Sequence, residues 1–554
     1  MSFNHWTLFD AVSNKVPHRP AIQRRDEIIS YLELNEKARK FATFLIQNGV
    51  KIPAERNSLK TWESGQDHVA IYLHNCKEYM EVTFGANAAR AVPFNVNYRY
   101  IEDELVYLFN DGAPKVIVYH STFAPRLENI IDKLHKSPVL VQVKDDSNNP
   151  LIKNAYDYDR IINETEAMSS QELAKITGMP SPEDLYLLYT GGTTGMPKGT
   201  MWLQSDIYTA SLGVFTARLG VAPSSIESIA EASEKTATSV TLPLPPFIHA
   251  ASQWAAVGTL LAGFTIAIPT ITDRLDPQDT WETVEKFKVE SMVIVGDAFA
   301  RPLCKELENR RYDLSSLVII ATGGAATSKE IKERLLALIP SALVIDIGGS
   351  SESGAILTNI STNGSQISTG DFYPQPGVYV LDDTKSRILR PGDETIGWLA
   401  KGHPIPLGYL GDEEKTNQTF VYVEEMRMSI LGDRARILDD GRIELLGRES
   451  VTINTGGEKV FAEEVEAVLM SHPSVKDVIV VGRKSERWGN EVVAVVESYA
   501  NQPFEEDQII SYVSARLAKY KVPKDLIKVD QVLRSPAGKP DYGWARQVAA
   551  DSLT

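Results

Sequence analysis

Short apolar runs, each followed by an amphipathic stretch long enough for a helix, recur along most of this chain. HVAIYL (68–73) reads as a strand, CKEYMEVTFGANAAR (76–90) as a helix, and VPFNV (92–96) as a strand. IEDELVYLFND (101–111) reads as a helix and KVIVY (115–119) as the next strand. SMVIVG (291–296), LVIIATGG (317–324) and ALVIDIGG (342–349) renew the pattern. Strands alternating with helices predict α/β architecture, with mostly parallel sheets covered by helices. Two polar stretches, 51–67 and 221–239, break the alternation and read as surface insertions or mobile loops.

A chain of 554 residues exceeds one ordinary domain. The pattern changes near Arg448. Helix 462–470 puts Val465, Val468 and Leu469 on one face, and KDVIVVG and EVVAVVE follow as strands. Helix 505–519 buries Ile509, Ile510, Val513 and Leu517, and LIKVD adds a last strand. The expected division is a large N-terminal domain, 1–448, and a small α+β domain, 449–554. No repeat of solenoid period and no low-complexity tract interrupts either part.

The net charge of −16 argues against a nucleic-acid partner, because phosphate backbones attract basic surfaces. Only Cys76 and Cys304 are present, which excludes a disulfide framework and a cysteine metal site. The N-terminal MSFNHWTLFDAVSNK lacks a basic segment followed by an apolar one, and no apolar run approaches about 20 residues. The expectation is a cytoplasmic protein without a transmembrane segment.

The most chemically loaded segment is YTGGTTGMPKG, 189–199, after the apolar run Leu185–Tyr189. Its glycines let successive N–H groups converge on an anion. Thr190, Thr193 and Thr194 supply hydroxyls, and Lys198 a cation suited to a phosphate oxygen. It is not a Walker A loop, since Met196-Pro197 separates Gly195 from Lys198 and Gly199 follows the lysine. A glycine-rich surface turn is the competing reading.

This segment matches, position for position, the [ST]-[SG]-G-[ST]-T-G-x-P-K-G loop of the adenylate-forming superfamily, and further segments resemble that family in its own order. These are LPLPPFIHAASQWAAVGTLLAGFTIAIP (242–269), ATGGAATSKE (321–330), DIGGSSESG (346–354), SILGDRARILDDGRIELLGR (429–448), INTGGEKVFAEEVE (453–466) and LRSPAGKPDY (533–542). Each has a blander reading alone: a packed helix start, a tight strand exit, a capping loop, a turn or a solvated lysine. Their joint order is what carries the resemblance.

The resemblance implies ATP, Mg²⁺ and coenzyme A as partners of a small carboxylic acid. Thr190, Gly191, Gly192, Thr193, Thr194, Gly195 and Lys198 would hold phosphate, and Gly324 and Ala325 would wall the adenine. Asp346 would face the adenine amino group and Asp433 the ribose hydroxyls, with Arg448 closing the G-R pair. Ser351 and Glu352 match a Thr-Glu pair; Glu352, with Thr194, would meet the Mg²⁺ carried by ATP. Lys539 would be the mobile catalytic lysine, and His249 would sit at the gate of the acid pocket. Gly457 would leave room for the pantetheine arm.

Two positions depart from the family: Gly348, where most relatives carry an aromatic residue, and Ser450, where the hinge is usually Asp or Lys. No acid lies between Pro243 and Gly263, so a free α-amino group would have no anchor there.

The implied activity is that of an AMP-forming acid–thiol ligase. GGTTGMPKG, VGDAFARPL (295–303) and INTGGEKVFAEEVE look most like fatty-acyl and steroid-side-chain CoA ligases of actinobacterial type. Ala250, Ala251, Gly323 and Gly348 are consistent with a roomy pocket for a medium or long fatty acid or a bulky apolar acid. An acyl-AMP ligase, an aryl acid:CoA ligase, a luciferase-like oxygenase and an inactive nucleotide-binding homologue stay open as alternatives. A homodimer is compatible with the resemblance.

Overall fold

The computed structural model describes residues 3–52, 54–192, 195–220, 225–365, 367–368, 370–448, 451–455, 458–485, 489–500, 502–534 and 539–552. Continuous apolar runs become strands buried on both faces, as parallel sheets require. Every residue of His68–Tyr72 is buried. Val69 and Ile71 pack into one core, Ala70 and Tyr72 into another across the sheet. This strand pairs in parallel with Val92–Asn95 on one side and Val116–His120 on the other. Val139–Val143 and Tyr156–Asp157 extend the same sheet, also in parallel.

A larger sheet has a parallel centre in the spatial order Pro20–Arg24, Thr265–Ala267, Val240–Pro243, Ser291–Ile294, Ile319–Gly323 and Leu343–Ser350. Direction reverses at Gly354–Ser361, and the sheet continues antiparallel as far as Val378–Leu381. Two of the nucleotide-motif segments, 321–330 and 346–354, sit where parallel strands end. Crevices outside the carboxyl ends of such strands are the usual ligand sites of open α/β sheets.

The polar stretch 221–239, expected as a loop, contains helix Ile226–Lys235. Its charges lie on one face, while Ile229, Ala230, Ala232 and Ser233 are buried, packed against the first helix, His5–Lys15. Arg19 satisfies its end by donating to the Ser233 and Thr236 carbonyls, each at 2.9 Å. The described residues of 51–67 are irregular apart from a short 3₁₀ turn, Arg56–Ser58.

The C-terminal part has its own core, built on Val465, Leu469, Val478, Val480, Val493, Val495, Ile509 and Val513. Val475–Ser485 and Gly489–Ser498 pair antiparallel, and Asp525–Val529 joins the second in parallel. The helix expected over 505–519 spans Glu506–Ser514. Beyond it the Arg516 and Leu517 N–H groups both return to the Val513 carbonyl, which turns the chain.

Candidate active site

The glycine–threonine segment is a β-hairpin. Leu185–Gly192 and Gly195–Leu203 pair antiparallel, with Tyr189 opposite Gly199 and Thr190 opposite Lys198. Thus most of the expected loop is ladder. Thr193 and Thr194 lie outside the described residues. Gly199 is required by packing, since a Cβ there would fall 2.9 Å from the Tyr189 ring. Tyr189 donates from its hydroxyl to Asp111 at 2.5 Å. Asn95, which sequence reasoning missed, staples the hairpin in place. It accepts from Tyr189 N at 2.8 Å and donates to the carbonyls of Tyr189 and Ile248, both at 2.7 Å.

Facing the hairpin is the turn after Leu343–Ser350. A bulge at Gly348/Gly349 aims it, and a Cβ on Gly349 would overlap the Gly354 carbonyl oxygen, 2.1 Å away. Thr190 Oγ1 lies 3.1 Å from Ser351 Oγ, which donates to Glu352 Oε2 at 2.8 Å. Trp202 Nε1 donates to the Ser351 carbonyl at 2.8 Å and fixes the turn. The other carboxylate oxygen, Glu352 Oε1, accepts from the Tyr409 hydroxyl at 2.8 Å.

Tyr409 is a second residue the sequence did not reveal. It stands on Gly408–Tyr409, which pairs with Met201 and Thr200 of the hairpin, and a lone Gly-Tyr pair carries little signal. Burial and the Glu352 charge push its phenol above the usual range, so it stays a donor. Lys198 Nζ sits 5.8 Å from the centre of its ring, within cation–π reach.

Asp433 and Arg448 face each other across the antiparallel pair Met426–Ile437 and Ile443–Arg448, with Arg448 Nε 3.4 Å from Asp433 Oδ1. Burial raises the Asp433 carboxyl, and Arg448 offsets part of that rise. Lys539 comes from the C-terminal part and lies in the same electrostatic neighbourhood. Burial holds its ammonium below the ordinary lysine value; Arg448 depresses it further, and Glu352 opposes both. Its charge is also felt at His249. Glu352, Asp433, Arg448, His249 and Lys539, scattered over some 290 residues of sequence, are therefore neighbours.

Gly324 and Ala325 follow strand Ile319–Gly323, with Gly324 exposed at a φ of +81°. His249 caps helix Ala250–Leu261, and its Nε2 is buried without a hydrogen-bond partner. Burial, then Arg99 and Lys539, lower its pKa to about 3, so the imidazole is neutral at physiological pH. Asp346 is engaged within the protein: its Oδ2 is 2.5 Å from Lys332 Nζ, a buried lysine that also donates to the Ser368 carbonyl at 3.1 Å. At Gly348 a Cβ would lie 3.0 Å from Leu357 Cβ on the adjoining strand, a tight fit. Gly191, Gly192 and Gly195 lie in the hairpin strands; Gly457 and Ser450 lie outside the described residues.

A phosphate-suited hairpin, a held carboxylate and a lysine brought in from a second α+β unit define a nucleotide-activating α/β enzyme. The chain belongs to the AMP-binding enzyme family, whose model matches residues 9–410, while the AMP-binding enzyme C-terminal domain matches residues 464–539. It is 42% identical to a medium-chain acyl-CoA ligase of Mycobacterium avium over 98% of this chain and 97% of that protein. It is 36% identical to a medium/long-chain-fatty-acid–CoA/3-oxocholest-4-en-26-oate–CoA ligase of Mycolicibacterium smegmatis, over 100% and 97% of the two chains. Among solved structures, ATP-bound MatB from Rhodopseudomonas palustris matches with a TM-score of 0.81 at 22% identity, over all of both chains. The anthranilate CoA ligase AuaEII, in complex with anthranoyl-AMP, matches with a TM-score of 0.81 at 19% identity, over 100% of this chain and 98% of that one.

Proposed function

We propose that this protein is an ATP-dependent acyl-CoA synthetase acting on a medium- or long-chain fatty acid or a bulky apolar carboxylic acid. The observation that carries the reading is the Glu352 carboxylate, held between the Ser351 and Tyr409 hydroxyls, with Lys539 in its neighbourhood. The substrate class rests on the two mycobacterial relatives, whose named substrates are fatty and steroid acids.

In the first step a carboxylate oxygen bonds to the α-phosphorus of ATP and the bond to pyrophosphate breaks. Lys539, Lys198 and the Thr190–Gly195 backbone meet the charge that develops on phosphorus, so catalysis is positioning and electrostatic stabilisation without a protein nucleophile. Glu352 is a hard, oriented oxygen donor of the kind Mg²⁺ prefers. Among the described residues no cluster of three or more His, Cys, Asp or Glu could hold a metal alone, which fits an ion arriving on the nucleotide and meeting Glu352 and Thr194. Bound there, Mg²⁺ would neutralise phosphate charge.

Asp433 receives the ribose hydroxyls and Gly324–Ala325 lie against adenine. His249 is a neutral wall of the acid pocket. Then the small domain, taken as 449–554, turns about Ser450, withdraws Lys539 and presents Gly457. The CoA thiolate sulfur bonds to the acyl carbon, and AMP leaves. Keeping the adenylate enclosed between steps protects it from water.

Among the described residues no helix is long and apolar enough to cross a membrane. Cys76 and Cys304 are buried free thiols, and with ATP and CoA as substrates this fits a cytoplasmic enzyme.

The test is AMP release measured with and without CoA across a panel of acids. Dodecanoate or a steroid side-chain acid should be preferred, and AMP release should depend on CoA. Preference for acetate or benzoate would sink the substrate class, and adenylate accumulating without transfer to CoA would sink the thioester step.

A further inference from the structure

We infer that Tyr499, reaching across from the small domain, is a positioning residue for adenylate formation that acts on the adenine wall through Arg301 and Asp297. The inference rests on the proposed function and adds a residue to it.

Tyr499 follows strand Gly489–Ser498. Its hydroxyl accepts a hydrogen bond from Arg301 Nη1 at 2.9 Å, across 198 residues of sequence. Arg301 Nη2 donates to Asp297 Oδ2 at 2.9 Å; the two residues stand one turn apart on helix Gly296–Asn309. Asp297 in turn grips the segment after Gly323. Its Oδ1 accepts from Ser328 N and its Oδ2 from Ser328 Oγ, both at 2.8 Å. Its backbone N–H reaches the Ala326 carbonyl at 3.4 Å. Just before it, Gly296 has a φ of +48°, and a Cβ there would fall 2.5 Å from the Ala326 oxygen, so the helix start lies directly against this segment. The wall proposed to face adenine is thus held from behind by Asp297, and Asp297 by Arg301.

The Arg301–Asp297 pair is internal to the large domain and survives any turn of the small one. The Tyr499 bond does not. Both members of the pair are mostly buried, with side-chain exposures of 18% and 16%, so an added polar contact is worth more than at a wet surface. The unit that brings Tyr499 to Arg301 is the unit that brings Lys539 into the electrostatic neighbourhood of Glu352, and both hold in this one arrangement. Coupling of this kind is reciprocal. Nucleotide settling against the wall favours the arrangement in which Lys539 is delivered, and that arrangement steadies the wall.

The test separates the two half-reactions. Tyr499→Phe removes only the hydroxyl. Acid-dependent ATP–pyrophosphate exchange should fall roughly tenfold with a raised KM for ATP, as loss of a hydrogen bond to a charged group implies. Thioester formation from supplied acyl-adenylate and CoA should be unchanged or faster. Arg301→Lys cannot bridge Tyr499 and Asp297 together, and adding Tyr499→Phe to it should cost nothing more. Unchanged exchange in Tyr499→Phe, equal loss in both half-reactions, or additive losses in the double variant would each overturn the inference. If the unmodified enzyme exchanges with no acid in the panel, the proposed function fails and takes this inference with it. If it exchanges normally and Tyr499→Phe matches it, only the inference fails.

Discussion

Tyr409 donates its hydroxyl to Glu352 Oε1 at 2.8 Å, while Ser351 donates to Oε2 of the same carboxylate at 2.8 Å. Two neutral donors hold an anion in one orientation without cancelling its charge, which leaves it able to face a cation. Tyr409→Phe keeps the ring under Lys198 and removes one donor. A hydrogen bond to a charged group contributes about 1.5–3 kcal/mol, so adenylate formation should drop roughly ten- to hundredfold. The Mg²⁺ concentration for half-maximal rate should rise with it. A magnesium titration of pyrophosphate exchange checks both, and an unshifted midpoint would mean that Tyr409 does not orient Glu352.

The Lys539 ammonium is disfavoured by burial and by Arg448, so it loses its proton below the ordinary lysine value of about 10.4. The protonated form is the one that meets phosphate charge. Adenylate formation should therefore hold on the acid side and decline as pH rises through the lowered pKa. Lys539→Arg, charged at all accessible pH, should lose that alkaline decline even if its rate is lower. Lys539→Ala should abolish pyrophosphate exchange yet permit thioester formation from supplied acyl-adenylate. Equal loss of both steps would contradict the role.

How much of this was legible beforehand depended on whether a residue's neighbours were close in sequence. The strands His68–Tyr72 and Val116–His120 announce themselves by near-continuous apolar character, because each is buried on both faces. Helix Ile226–Lys235 hid behind its charge, since a one-sided apolar face against His5–Lys15 is faint in so polar a stretch. Ser351, Glu352, Asp433 and Arg448 could be read from their resemblance to family motifs, but that Asp433 and Arg448 face each other across a strand pair could not. Asn95 and Tyr409 could not be read either, because their partners at Tyr189, Ile248 and Glu352 are set by tertiary contact alone. Asp346 shows the converse. Its position in a recognisable segment said nothing of Lys332, which takes up its carboxylate.

Glu466 makes the small domain sensitive to pH. Its carboxyl is partly buried, accepting from Val480 N at 2.8 Å and from the Tyr542 hydroxyl at 3.3 Å, and desolvation, with the Glu463 charge beside it, pushes its pKa up to about 8. In the unfolded chain the value returns to about 4.3. Between those values the folded state binds more protons than the unfolded, so stability falls as pH rises from about 4 to 8. By pH 7 the loss is of order 3 kcal/mol. Glu466→Gln keeps the shape and one acceptor without the charge. It should raise the melting temperature at pH 7–8 and flatten the dependence between pH 5 and 8. A melting curve as steep in pH as that of the unmodified protein would assign the sensitivity to another group.

Asn95 carries the load of aligning two active-site segments. Its amide satisfies Tyr189 N, Tyr189 O and Ile248 O at once, all buried, and so ties the phosphate hairpin to the segment that ends in His249. Asn95→Ala leaves those backbone groups without partners in a space closed to water. Each unsatisfied buried group costs about 1–3 kcal/mol, so a total near 3 kcal/mol is expected after relaxation. Asn95→Asp is the sharper variant. It keeps the acceptor toward Tyr189 N but sets a carboxylate oxygen against two carbonyls, which repel it. Thermal unfolding should show both variants destabilised, Asp more than Ala. At temperatures where each stays folded, KM should rise for both ATP and the acid, because one displaced side chain loosens both segments. A rise for ATP alone would place the effect in the hairpin and dissolve the proposed link to His249.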